Sequence, residues 1–194
     1  MSRRGVSACL CALTCALLAA CAEPPNKEMD QAQGAIDAAR AAGADQYATT
    51  EYGAATTALA SANDAVAAGD YRLALNYALE SREHAQNAAR DTADTKARMR
   101  SELEHALAEM DAVIARAQAE ITAAERARVP QQRLRQPAAN LAQAEAYLQE
   151  PREAVARGDY LRAAKALEGV KERVEKVAAE VTAATTSPSL RRRR

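Results

Sequence analysis

Between Asp70 and Arg128 the chain contains neither glycine nor proline. Nothing in that stretch ends a helix, and strong helix formers such as alanine, leucine, glutamate and arginine fill much of it. The run predicts one helix, or two nearly collinear ones, of about 58 residues and roughly 87 Å at 1.5 Å per residue. Such a length dictates the architecture, because shorter segments must lie along it to cover its apolar stripe. Leu75 and Leu79 are expected to open that stripe. Leu103, Leu107, Met110, Ile114, Ala117, Ile121 and Ala124 continue it at alternating steps of four and three, the spacing of a heptad seam. Lys96 and Arg100 fall on seam positions and weaken its middle.

The flanking segments also read as helices. Residues 27–42 form one, closed by Gly43. Residues 49–68 form another, with Tyr52, Ala55, Leu59, Ala62 and Val66 on one stripe. Gly69 then supplies a left-handed cap and Asp70 the next N-cap, which reverses the chain. Val129-Pro130 ends the long helix. Pro137 fits the first turn of the next helix, which Leu141, Leu148 and Val155 continue with a kink at Pro151. Gly158-Asp159 turns the chain again, and Leu167, Val170, Val174, Val177 and Val181 form a further seam.

The chain repeats itself. Gly69-Asp70-Tyr71 recurs as Gly158-Asp159-Tyr160, 89 residues on. At the same offset Tyr52 pairs with Leu141, Ala55 with Ala144, Leu59 with Leu148, Val66 with Val155 and Ala74 with Ala163. Upstream the offset is 85, pairing Ile36 with Ile121 and Gln46 with Gln131. The expected fold is all-α, an elongated helical bundle of two tandem three-helix units that share the long central helix. Alanine accounts for 52 of the 194 residues, and Trp and Phe are absent, so each seam position buries little area and the core should be modest.

The first twenty residues have a different layout. Arg3 and Arg4 precede an uncharged run of small and apolar residues, 6–20, which leads into Cys21. This is the arrangement of a secretory signal peptide, with an apolar run too short to span as a stop-transfer helix. Leu18-Ala19-Ala20-Cys21 resembles the lipobox of bacterial lipoproteins. The resemblance implies cleavage between Ala20 and Cys21, a diacylglycerol on the Cys21 sulfur, and stable membrane anchoring through several acyl chains. Ala22 stands where an aspartate favours inner-membrane retention in proteobacterial lipoproteins, so the resemblance implies the periplasmic face of the outer membrane. All four cysteines lie within residues 1–21. The mature chain would keep Cys21 alone, so no disulfide framework is expected. The segments are then a signal peptide at 1–20, a lipidated cysteine with a stiff Pro24-Pro25 tether at 21–28, helical repeats at 29–98 and 99–185, and a disordered basic tail at 186–194.

Two further resemblances follow. Gly69-Asp70-Tyr71 with Ala74 is similar to the turn of a tetratricopeptide hairpin, although the 34-residue period of that family is absent. The segments Ala35-Ile36-Asp37-Ala38-Ala39-Arg40, Gln46-Tyr47-Ala48 and Gly69-Asp70-Tyr71, behind Cys21 and Pro24-Pro25, resemble a family of alanine-rich domains of unknown function in proteobacterial outer-membrane lipoproteins. Some members are fused to an OmpA-like peptidoglycan-binding domain. The resemblance covers roughly residues 21–110, and nothing after residue 110 resembles that partner domain.

Catalytic and metal chemistry find no constellation. His84 and His105 are the only histidines, and 21 residues of one helix hold them about 31 Å apart. Glu80, one turn before His84, is a pairing candidate on a solvated face. No phosphate loop or His-Glu-x-x-His motif occurs. Arg157-Gly158-Asp159 matches an adhesion tripeptide but is better explained by the helix turn. Tyr71 and Tyr160 are expected to pack the two hairpin corners. Arg191, Arg192, Arg193 and Arg194 form a candidate surface for anionic lipid headgroups or acidic partners. The rest of the mature chain is mildly acidic, which argues against nucleic-acid binding. The expected function is a non-enzymatic, lipid-anchored periplasmic scaffold with an envelope protein partner, no metal, and no cofactor beyond the lipid on Cys21. The alternative is a small-ligand or substrate-binding lipoprotein with a pocket between helices.

Overall fold

The structure is a computed structural model of the 194-residue chain and describes residues 23–186. The described residues are helical and contain no strand. In chain order the helices are α1 (Asn26–Ala42), α2 (Ala44–Tyr47), α3 (Thr49–Ala67), α4 (Tyr71–Arg126), α5 (Gln131–Ala146), α6 (Gln149–Ala156), α7 (Tyr160–Leu167) and α8 (Val170–Thr186). The expected long helix is α4, a single element of 56 residues. The chain divides into two compact units that meet within α4, between Ala93 and Asp94. The helical pattern had placed that boundary between residues 98 and 99.

Unit 1 is α1, α2, α3 and the first part of α4. Its buried apolar residues are Ile36 and eleven alanines. On α4 they are Ala74, Ala78, Ala85 and Ala88, joined by buried Ser81 and Thr92. These six follow steps of four and three, so α4 opens with a heptad seam made wholly of small residues. The sequence pattern had assigned this role to Leu75 and Leu79. Leu75 is instead only partly buried, and Leu79 is 40% exposed. On α3 the buried face is Ala55, Ala58, Ala62 and Ala65, with Tyr52, Leu59 and Val66 at its margins rather than its centre. The reason is steric. Small residues let helix backbones approach, and the larger side chains then splay to the flanks. The Ser81 hydroxyl, one atom beyond Cβ, donates directly to the Ala55 carbonyl on α3 at 2.8 Å. Thr92 bonds back to the Ala88 carbonyl at 2.7 Å, and no buried side-chain polar atom among the described residues lacks a partner.

Unit 2 has a conventional apolar core. Leu107, Met110, Ile114 and Ile121 of α4 meet Leu141, Leu148, Val170, Val174 and Val181. Its helices are more broken than the sequence implied. Pro137 lies inside α5 rather than in a first turn. α5 and α6 are separated at Tyr147 and Leu148. A proline ring collides with the carbonyl four residues back, which for Pro151 is Tyr147, so the expected kink takes the form of a break one turn earlier. Gly169, at φ +71°, interrupts the seam that had been read as one helix from Leu167 to Val181. At the start of the chain, α1 begins at Asn26, so the tether expected to reach residue 28 ends sooner.

The repeated turns are alike in detail. Gly69 (φ +76°) donates to the Val66 carbonyl and Asp70 N–H to that of Ala65. Gly158 (φ +77°) and Asp159 donate to Val155 and Ala154 in the same way. This double bond pattern is the Schellman motif, and the left-handed residue in it favours glycine. The Asp70 carboxylate then accepts from Leu73 N–H at 2.9 Å, and Asp159 from Arg162 N–H at 3.2 Å. Each aspartate therefore caps the following helix. The end of α4 uses the same bonds, Arg128 to Glu125 and Val129 to Ala124, but places a non-glycine at φ +58°.

Two stability outcomes follow. Arg128→Gly should raise the free energy of unfolding by about 1 kcal/mol, because an L-residue in the left-handed region is strained by that order. Ala85, fully buried against Ile36 and Ala55, leaves no room for a larger side chain, and Ala85→Leu should cost about 1–3 kcal/mol. Urea denaturation followed by far-ultraviolet circular dichroism measures both. No change for Ala85→Leu would contradict the close-packed seam.

Candidate functional site

The residues singled out for anchoring and surface binding, namely Ala20, Cys21, Arg191, Arg192, Arg193 and Arg194, lie outside the described residues. The described chain starts at Glu23 and enters α1 directly behind Pro24 and Pro25. Among the described residues no helix is long and apolar enough to cross a membrane.

Unit 1 carries a polar link between each pair of its three long helices. Arg40 Nε donates to the Tyr52 hydroxyl at 2.6 Å, joining α1 to α3. Arg82 donates to Gln31 Oε1 at 2.7 Å, joining α4 to α1. His84 Nδ1 lies 2.8 Å from Glu51 Oε2, joining α4 to α3. The intrahelical partner expected from the sequence, Glu80, is further away, at 3.8 Å from His84 Nε2. Glu51 could not be found by helical spacing, since it reaches His84 from a different helix. The hydrogen bond with Glu51 raises the His84 pKa above its ordinary 6.5; partial burial opposes this, and the charges of Glu51, Glu80 and Glu83 add to it.

The structure does not bring the two histidines together. His105 lies in unit 2, where it pairs with Glu109 at 3.2 Å. No group of three or more His, Cys, Asp or Glu residues among the described residues is placed to hold a metal ion. In the adhesion-like tripeptide, Gly158 and Asp159 are used by the turn, and Arg157 lies 3.4 Å from Glu153. Tyr71 and Tyr160 are both half-buried, and Tyr160 packs against the cluster of Leu103, Ala154 and Ala163.

Several open grooves lie between the helices among the described residues. In unit 1 a groove of about 270 Å³ runs between α1 and α3, lined by Gln33, Arg40 and Asn63 over Ile36 and Leu59. In unit 2 a groove of about 310 Å³ between α4 and α8 is floored by Met110, Val113 and Val174 and rimmed by Glu109, Arg116, Lys171 and Glu175. A smaller one of about 210 Å³ between α5 and α8 is crossed by a 2.9 Å bond from Asn140 to Glu180. The Arg173 guanidinium carbon sits 5.3 Å from the centre of the Tyr147 ring beside it.

The Glu51–His84 pair makes stability depend on pH. A histidine whose folded pKa is raised contributes fully below its unfolded value and loses the contribution as pH rises through the folded value. The stability difference between the parent and a His84→Gln variant should therefore be largest just below the ordinary histidine value and shrink as the pH rises past it, by less than about 1 kcal/mol for a pair still reached by solvent. Denaturation midpoints of both proteins across that range test this; a difference that grows with pH would contradict it.

Comparison with known proteins bears on unit 1. Neither the curated proteins nor the solved structures give a match to this chain. A family model does match over residues 27–104, spanning α1, α2, α3 and the first part of α4. The family is described as Domain of unknown function (DUF4398), and the segment is similar to it.

Proposed function

We propose that this chain is a non-catalytic scaffold of the bacterial envelope, held by lipid on Cys21 at the periplasmic face of the outer membrane and engaging a protein partner through its helix surfaces. One observation carries the reading. Leu18-Ala19-Ala20-Cys21 closes an uncharged run behind Arg3 and Arg4, and a helical body begins five residues after the cysteine, at Asn26. A lipid there would hold that body within a short reach of the bilayer, since each residue spans at most about 3.5 Å. The α-helical surface of charged residues over a small-residue core suits a spacer or docking module.

A small-ligand lipoprotein is the weaker reading on volume. Ligand clefts generally measure about 300–1,000 Å³ and bury most of the ligand, whereas the grooves described above are open and stand at or below the lower end of that range. Metabolic labelling with a radioactive fatty acid, followed by membrane fractionation, tests the anchor. The parent should carry label and sediment with membranes, and Cys21→Ala should lose both. Equal sedimentation of the two proteins would reject it.

A further inference from the structure

Unit 2 leaves one flank of α4 open beside α8. Lys171 of α8 lies 4.0 Å from Glu109 of α4, and Thr182 lies 2.9 Å from Glu120. The two contacts are equally spaced along both helices, so α8 runs parallel to α4 here. Two helices packed in this way leave a channel between them whose shape suits a third helix. That channel is the groove of about 310 Å³ floored by Met110, Val113 and Val174. Ala112, on its α4 wall, is exposed. So are Ala108, Ala115 and Ala119 on the adjoining outer face of α4. These methyl groups let an incoming backbone come close, but they say nothing of whose backbone it is.

The charges on the rim say more. Glu109 and Glu175 are matched by Arg116 and Lys171, so the rim favours neither a polyanion nor a polycation. On the α4 wall, Glu109 and Arg116 stand seven residues apart, with Ala112 and Val113 midway. Seven residues are close to two helical turns, which puts the acid and the base on one face. Reversing the direction of the helix about that midpoint exchanges Glu109 with Arg116 and Ala112 with Val113. The α4 of a second copy, laid antiparallel in the groove, therefore sets opposite charges together at both ends and small apolar residues together between them. Glu109 is already 3.2 Å from His105 and 4.0 Å from Lys171. Arg116 is in no ion pair among the described residues, and the second copy supplies its carboxylate. A surface that is its own complement is what a two-fold interface requires, because one patch serves both chains.

We propose that this flank of α4 is a homodimer interface, in which the groove between α4 and α8 receives α4 of a second copy in antiparallel orientation. The inference stands apart from the anchor reading and holds with or without lipid on Cys21. The test is analytical ultracentrifugation of the full chain carrying Cys21→Ser, with reductant present, over a concentration series into the millimolar range. The average mass should rise from that of a monomer towards that of a dimer. Adding Glu109→Arg places like charges together at both ends of the interface, and so does adding Arg116→Glu. Each should weaken association about tenfold or more, because two exposed attractive pairs change sign. An equimolar mixture of the two variants restores opposite charges at both ends and should recover the parent's association. Association by another route, the uncharged run at 6–20 included, would not show this pattern. Ala112→Glu, at the centre of the groove wall, should weaken association as well, and circular dichroism should show the parental helix content in every variant. A parent that stays monomeric throughout the series would overturn the proposal. So would equal association of the parent and the charge-reversed variants, or a mixture that associates no better than either variant alone.

Discussion

The contact from the Ser81 hydroxyl to the Ala55 carbonyl sets the terms for unit 1. A side chain as short as serine reaches a neighbouring backbone only when two helices nearly touch. That approach requires a methyl group or less at each facing position, which Ala55, Ala58, Ala62 and Ala65 on α3 and Ala74, Ala78, Ala85 and Ala88 on α4 supply. The consequence is a core with little apolar area, since a buried methyl contributes only about 0.8 kcal/mol. Cross-helix polar links therefore carry more of the specificity than in a leucine-rich bundle. Arg40 with Tyr52, Arg82 with Gln31 and His84 with Glu51 each fix one pair of helices, and each operates at the margin where larger side chains have been pushed out of the seam.

Unit 2 repeats the turn without repeating the core. Gly158 and Asp159 reproduce the bonds of Gly69 and Asp70, and Ala163 is as fully buried as Ala74. Beyond that turn the facing residues are mostly leucine, isoleucine and valine, with Met110. The same local device thus supports two packing regimes, because a Schellman turn is satisfied within its own few residues and makes no demand on what the helices bury. The DUF4398 match extends past the seam of small residues, to residue 104, into the stretch where half-buried Thr95, Lys96 and Met99 give way to buried Leu103.

Surface charge is organised differently from the core. In unit 2 some arginines reach carboxylates on neighbouring helices, as in Arg152 with Asp111 across α6 and α4 and Arg162 with Glu150 across α7 and α6. Such exposed pairs contribute little to stability, about 0–1 kcal/mol each.

The sequence by itself determined the local events. Uninterrupted helix formers made α4, Gly69 and Gly158 made the two repeated turns, and the alternating Leu, Met and Ile positions from Leu103 to Ile121 marked the face that unit 2 buries. These are settled within a few residues by backbone geometry and periodicity. Only the tertiary structure decided which neighbouring face of α4 unit 1 buries. Hydrophobicity ranks Leu75 and Leu79 above Ala74 and Ala78, but the spacing between helices excludes the larger pair, and that spacing is a property of both helices together. It also decided that Glu51, not Glu80, meets His84, and that α8 ends beside Arg133. Each is a contact between residues far apart in sequence, for which helical spacing offers no signal.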